Sequence, residues 1–491
     1  MAFKDGFIWG AGTSSYQIEG AAFEDGKGMN LWDAFAGYGD TILNGETGAV
    51  ACDHYHRFRE DVALMKKLGI KAYRFSINWP RVLPKGVGEV SEKGLKFYSD
   101  LVDELIEAGI EPMITLFHWE YPYELYRQGG WLNDNSSDWF LEYTKVVVDA
   151  LSDRVTHWMT LNEPQCELGN GYGNGKHAPF QQRQPRDLLI MGHNMILSHG
   201  KAADYIRHNA KKPAKIGWCP TGPVTCPKVE PADCVAGVNG KHDSRGVSFN
   251  EGNNDPVTGA KMTQNYPKPT PEAIEAARKA SYATNGAFFT HSTSYWCDPV
   301  FLGKYPDTLI EDFGDLVPKF TEEEWKLVTT KLDFFGYNVY FESGWAKQGE
   351  SQYPANRWMS APLTNIGWPV NPEVMYWSAK FHYERYGLPL FITENGMASH
   401  DWISEDGKVH DSYRIDYTAR FLRQLDRAGS EGVELYGYMH WSVMDNFEWA
   451  WGYTMRFGLI YVDFNTQQRV LKDSANWYRE VCESNGDILF K

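Results

Sequence analysis

Two short segments of this 491-residue chain, Thr160-Leu161-Asn162-Glu163-Pro164 and Phe391-Ile392-Thr393-Glu394-Asn395-Gly396, each carry one glutamate out of an apolar or β-prone run directly into residues that end it. Proline has no N–H for a strand ladder, and Asn-Gly is turn chemistry. Glu163 and Glu394 are therefore expected at the carboxyl ends of strands, facing one open surface. Two facing carboxyl groups can serve as acid and nucleophile, the pair that cleaves a glycosidic bond through an oxocarbenium-like transition state. That chemistry requires the fold to bring them to about 5 Å from each other.

The elements that must do this are marked by capping residues and periodicity. Asp53 can cap a helix with Phe58, Val62, Met65 and Leu68 on one face, stopped by Gly69 before a strand at 71–77. Ser91 starts the next helix, with Leu95, Val102, Leu105 and Ile106 as its stripe and Gly109 as its stop, before a strand at 112–119. Helical stretches at 137–151, 188–208, 273–294, 321–330, 376–386 and 415–429 alternate with strands at 157–162, 215–218, 332–338, 389–393 and 435–441. With 7–12 first, eight strands result. Strands alternating with helices imply a parallel sheet, and eight of them most simply close into a (β/α)8 TIM barrel with long βα loops. No glycine-rich nucleotide loop follows the first strand, which disfavours an open doubly wound sheet. The whole of 1–491 is expected to be a single catalytic domain, with an extended loop rich in Pro, Gly, Asn and Cys at about 219–268.

Composition narrows the partner. The hydrophobic share of 43% can fill a large core, and 15% aromatics, with 19 Trp and 28 Tyr, exceed what packing demands. Surplus Trp suggests flat faces for stacking. A net charge of −16 argues against nucleic acid and against an anionic membrane surface, both of which need a basic patch. The start, MAFKDGFIWGAG, has no signal-peptide pattern, and no run of eighteen apolar residues occurs, so a cytoplasmic protein is expected. Seven cysteines, an odd number, fit reduced thiols. The group Cys219, Cys226 and Cys234, with His242 as the near histidine, lacks the CxxC spacing of a zinc site. His118 has no second histidine at ligand spacing, so no metal is expected.

Strand ends in a barrel supply the site. Here they carry Gln17 and Glu19, Arg74, His118 and Trp119, Asn162 and Glu163, Asn338 and Tyr340, Glu394, and Trp441, with Asn446, Glu448 and Trp449 in the loop beyond. In isolation a strand-end glutamate is more often a cap or a salt-bridge partner.

The longer motifs, in order, are FIWGAGTSSYQIEGA near the start, YRFSINWPRVLP at 73–84, FHWEYP at 117–122, TLNEP, WCDPVFLGKYP at 296–306 and DFFGYNVY at 333–340. IGWP at 366–369, ITENG and HWSVMDNFEWAWGYTMRFGLIYVD at 440–463 complete the series. Across essentially its whole length the chain resembles glycoside hydrolase family 1, the retaining β-glucosidase family. The resemblance implies Glu163 as general acid/base and Glu394 as nucleophile, with Arg74, Asn338 and Tyr340 supporting the nucleophile. It also implies that Gln17, His118, Trp119, Asn162, Tyr340, Glu448 and Trp449 bind the sugar, Trp441 stacks on its ring, and Trp368 lines the leaving-group side. No cofactor is implied. Nearby negative charge from Glu394 is expected to be the main cause of a raised pKa at Glu163.

The same resemblance selects among substrates. Glu163 is present where plant thioglucosidases carry Gln, so an O-glycoside is expected. Glu448 stands where enzymes of 6-phosphorylated sugars hold phosphate, so a neutral glucoside is expected, with galactoside or fucoside as side activities. Three departures stand out: HWEYP for HWDLP, NVY for NYY, and Gln165 where Trp usually follows NEP. The sequence leaves the oligomeric state open, a homo-oligomer included.

Overall fold

The computed structural model describes residues 3–227, 269–284, 286–343 and 362–491. Eight strands form one sheet: β1 (Ile8–Gly12), β2 (Ala72–Ser76), β3 (Glu111–Phe117), β4 (His157–Asn162), β5 (Lys215–Cys219), β6 (Phe335–Asn338), β7 (Leu390–Asn395) and β8 (Leu435–Trp441). Their order is β5-β4-β3-β2-β1-β8-β7-β6 and each neighbouring pair is parallel. The remaining seam, between β5 and β6, is bridged by Asp333 N–H to the Ile216 carbonyl (2.9 Å) and Asn338 N–H to the Pro220 carbonyl (3.0 Å). The sheet therefore comes round on itself, as a (β/α)8 barrel.

β2, β4 and β7 are buried at every position, as strands covered on both faces must be. Inside the barrel, Met113, Met159, Met439, Phe334, Phe391, Ala72 and Cys219 form a separate apolar cluster. It is a packed floor under the carboxyl ends of the strands.

The helices confirm most of the expected punctuation and correct parts of it. Ser91 Oγ accepts the Gly94 N–H at 3.1 Å, and Gly109 ends the helix Glu92–Ala108 at φ 79°, where a side chain would be strained. Ile106, expected on the buried stripe, is 44% exposed. The inward face is centred on Leu101 and Leu105, flanked by Phe97 and Tyr98, which turns Ile106 out at its edge. Asp53 precedes the helix His54–Lys67 but makes no cap, because its carboxylate is bound to His56 Nδ1 at 2.6 Å. The single helix expected over 273–294 is two, Pro271–Tyr282 and Thr293–Leu302, parted by a 3-10 turn. The expected loop at 219–268 begins after β5; residues 228–268, including Cys234 and His242, lie outside the described residues.

An antiparallel hairpin absent from the expectations, β9 (Ile460–Asp463) and β10 (Gln468–Leu471), follows the last barrel strand. Leu459 and Ile460 donate to the Ser442 and Val443 carbonyls at 3.0 Å, so the hairpin braces the loop that leaves β8. Buried ion pairs brace it too. Lys472 Nζ reaches Asp445 (2.7 Å) and Asp401 (2.5 Å), Arg456 holds Asp445 (2.7 Å), and Arg414 holds Asp411 (2.9 Å) and Asp401. The ends of the chain meet: Tyr478 donates to the Gly10 carbonyl at 2.7 Å, and Trp9 Nε1 to Asn485 at 2.9 Å. No helix among the described residues is long and apolar enough to cross a membrane.

Candidate active site

Glu394 lies in β7, where the run Leu390–Asn395 is wholly buried. Its neighbour Gly396 is required by a close approach: a Cβ there would stand 1.9 Å from the Trp441 carbonyl oxygen at the end of β8. The absence of a side chain lets the two strand ends converge. Glu163 leaves β4 differently. Its N–H continues the ladder to the Cys219 carbonyl (2.7 Å), and Pro164 then opens the short helix Pro164–Leu168. Proline disfavours the right-handed helical region for the residue before it, and Glu163 sits at φ 39°. Trp119 (φ 82°) and Trp449 (φ 49°) are also left-handed. Such backbone costs roughly 1–3 kcal/mol per residue and persists only where the surroundings enforce it.

Arg74 joins three strand ends. Its guanidinium donates to Glu394 Oε1 (2.7 Å), the Thr393 carbonyl (3.1 Å), Asn162 Oδ1 (2.6 Å) and Thr115 Oγ1 (3.0 Å), and it is fully buried. Tyr340 donates to the other oxygen of Glu394 at 2.8 Å. Asn338 Nδ2 lies 2.9 Å from Glu163 Oε1 and 3.1 Å from Asn162 Oδ1, and its own Oδ1 accepts from Thr393 at 2.7 Å. Because Asn162 Oδ1 accepts from both Arg74 and Asn338, its amide nitrogen faces the other way, toward His118 Nε2 at 3.0 Å. That nitrogen has a second hydrogen to give.

The electrostatics divide the two glutamates. Burial, then the charge of Glu394, pushes Glu163 up to about 7, against hydrogen bonds from the Asn338 amide and the Cys166 thiol and the charge of Arg74. The expected order of causes is corrected here: loss of water outranks the neighbouring charge. Glu394 is also raised by burial, but Arg74, Tyr340 and Asn338 all pull it back down. A guanidinium hydrogen-bonded to one carboxylate and a neutral amide to the other place the shared proton on Glu163.

The remaining expected residues line the same end. Gln17 Nε2 donates to Asn446 Oδ1 (3.0 Å), the Phe447 carbonyl (2.8 Å) and Glu448 Oε2 (3.4 Å), while Ser14 Oγ holds its oxygen at 2.7 Å. Glu448 is pushed up to about 8 by burial and by Glu394 and Glu163. His118 stacks between Trp441 (5.7 Å between centroids) and Trp449 (6.1 Å), and burial keeps it neutral. Trp119 packs on Trp449 at 4.4 Å, with its N–H on the Asn162 carbonyl (3.0 Å). Trp368, half-buried, packs on Tyr340 at 5.1 Å.

Several supporting residues were not anticipated. Glu120, fully buried, accepts from Ser15 Oγ (2.5 Å) and the N–H groups of Tyr16 (3.0 Å) and His118 (3.2 Å), binding the Gln17 loop to the His118 loop. Its only sequence signal was the exchange of Asp for Glu in HWEYP. Thr115 and Thr393 are hydroxyls that follow the apolar residues Met113–Ile114 and Leu390–Ile392 in their strands. Glu19, which shares the end of the first strand with Gln17, pairs with Arg81 (2.9 Å) and Tyr98 (2.6 Å). No group of three or more His, Cys, Asp or Glu among the described residues is arranged to hold a metal.

Residues 1–236 and 240–487 match the profile of Glycosyl hydrolase family 1. The chain belongs to glycosyl hydrolase family 1. Within the family it is 39% identical to a 1,4-beta-D-glucan glucohydrolase of Thermotoga neapolitana over 99% of both chains. It is 35% identical to a bifunctional beta-D-glucosidase/beta-D-fucosidase of Bifidobacterium breve over 98% of both. A solved family 1 structure, the beta-glucosidase from Thermotoga maritima in complex with glucoimidazole, superposes with a TM-score of 0.83 at 37% identity, covering 99% of each chain.

Proposed function

We propose that this chain is a retaining β-glucosidase that removes terminal, non-reducing β-D-glucosyl residues from small β-glucosides and cello-oligosaccharides. The observation that carries the assignment is the asymmetry of the carboxyl pair, with Arg74 and Tyr340 on Glu394 and an amide on Glu163. Glu394 Oε attacks the anomeric carbon while Glu163 passes its proton to the departing glycosidic oxygen, giving a glucosyl ester and a free alcohol. Esterification removes the charge of Glu394, the pKa of Glu163 falls, and Glu163 takes a proton from the water that then attacks the same carbon. The product keeps its β configuration.

Asn162, which retains a free amide hydrogen beside the pair, suits the sugar 2-hydroxyl. His118, Gln17, Glu448 and Trp449 suit the other hydroxyls, and Trp441 the ring face. Gln17, Asn446 and Glu448 offer no positive charge to a 6-phosphate. A β-fucosidase activity is named for one relative, which supports fucoside turnover as a side reaction. The partner is thus a neutral small carbohydrate, handled by one catalytic unit without a cofactor.

The test is Glu394→Gly. Turnover of p-nitrophenyl β-glucoside should fall by roughly 10⁴-fold or more. Added azide should restore p-nitrophenol release and yield the α-glucosyl azide. A β-configured azide product, or unchanged turnover without azide, would refute the assignment of Glu394 as nucleophile.

A further inference from the structure

Beside the acid/base turn, one side chain imitates a piece of backbone. β4 ends at Asn162 and the chain swings into a helix after Glu163, so the strand next to it runs on past β4 without a ladder partner. That overrun is Pro220, Thr221 and Gly222. On one edge it pairs with β6: the Pro220 carbonyl accepts from Asn338 N–H (3.0 Å), and Gly222 N–H donates to the Asn338 carbonyl (2.8 Å). On the other edge Thr221 presents an N–H and a carbonyl toward the space that β4 has vacated. Gln165, fully buried, answers both. Its Oε1 accepts the Thr221 N–H at 3.1 Å and its Nε2 donates to the Thr221 carbonyl at 3.1 Å. A side-chain amide has the same donor and acceptor as a peptide group, so Gln165 acts as one surrogate strand residue.

We propose that Gln165 is a positioning residue for the acid/base: by clamping Thr221 it fixes the overrun of β5 against Asn338, and Asn338 in turn holds Glu163 and Asn162. The chain of contacts is continuous. Gln165 grips Thr221, the segment 220–222 grips the Asn338 backbone, and Asn338 Nδ2 reaches Glu163 at 2.9 Å. A tryptophan at this position would offer no acceptor for the Thr221 N–H.

The inference rests on Glu163 being the general acid, and the experiment separates the two. Asn338 stabilises ionised Glu163, so loosening it raises the pKa of Glu163. In Gln165→Met, kcat/KM for p-nitrophenyl β-glucoside should fall roughly ten- to a hundredfold, as expected for a displaced catalytic group. The alkaline limb of its pH profile should move upward. Gln165→Glu keeps the shape and the acceptor but donates to the Thr221 carbonyl only when protonated. Its kcat/KM should approach the parent value at acidic pH and drop away through one added ionisation. A Met variant with lowered melting temperature but an unshifted limb and unchanged kcat/KM would overturn the positioning role. So would a Glu variant whose profile follows the parent, and this holds even if the Met variant does not fold. If instead the parent's alkaline limb persists in Glu163→Ala, the acid assignment fails and not the clamp.

Discussion

At the level of single residues, the site is a problem of one proton between two buried carboxyl groups. Burial opposes both charges, and an isolated buried carboxylate would simply neutralise. Arg74 and Tyr340 make ionisation tolerable at Glu394 alone. In the proposed mechanism Glu163, raised to about 7, must be protonated to act as acid; that contribution would be complete below that pH and lost as pH rises through it. The kcat/KM profile of an aryl β-glucoside with a poor leaving group should accordingly decline above pH about 7, and the decline should vanish in Glu163→Ala. Removing the cation tests the other half. Arg74→Met leaves Glu394 without the charge that pulls its pKa down, so the acid limb should shift upward and kcat/KM should drop by roughly 10²-fold or more, measured over the same pH range.

At the level of elements, geometry is set where strands end. Gly396 lets the end of β7 approach the Trp441 carbonyl of β8, and Pro164 forces Glu163 out of the helical region. Gly396→Ala should push these strand ends apart. Overpacking of this kind costs roughly 1–3 kcal/mol, visible as a lowered melting temperature. Because Glu394 and Trp441 both move, kcat should fall by more than the loss of folded protein explains. An alanine variant that kept both its melting temperature and kcat would contradict the close approach. Strand positions were legible because apolar runs ending in Pro or Asn-Gly are local signals; β4 and β8 lie where their patterns predicted. The helix face of Glu92–Ala108 was partly misread because Ile106 follows the correct spacing yet lies at the stripe's edge. The hairpin β9–β10 carries weak alternation and draws its order from the β8 loop it braces.

At the level of the whole molecule, the end of the site that carries Gln17 and Glu448 depends on segments far apart in sequence. The loop bearing Asn446, Glu448 and Trp449 is held by Lys472 and Arg456 on Asp445, while Lys472 also reaches Asp401 in the segment after β7. Lys472→Met would leave buried carboxylates short of their cation. Removing one member of a buried pair costs roughly 3–5 kcal/mol, so the urea midpoint should fall markedly. KM for the glucoside should rise as well, since the loop that carries Glu448 loses its anchor. With the amino-terminal strand tied to Tyr478 and Asn485, unfolding should remain one transition in the variant and in the parent. Two separated transitions would contradict a single catalytic unit.

What the sequence by itself determined is the kind of barrel and the strand ends at which Glu163 and Glu394 stand, because periodicity, caps and strand-ending residues act over a few positions. Its motifs also named the aromatic and amide side chains around them. Which glutamate keeps the proton was decided by tertiary structure: burial and the reach of Arg74 across β2, β4 and β7 are properties of the closed barrel. The same holds for Glu120 and Gln165. Each looks in sequence like an exchange within a motif, and the backbone groups each one meets, those of Tyr16 for Glu120 and Thr221 for Gln165, come from segments distant in the chain.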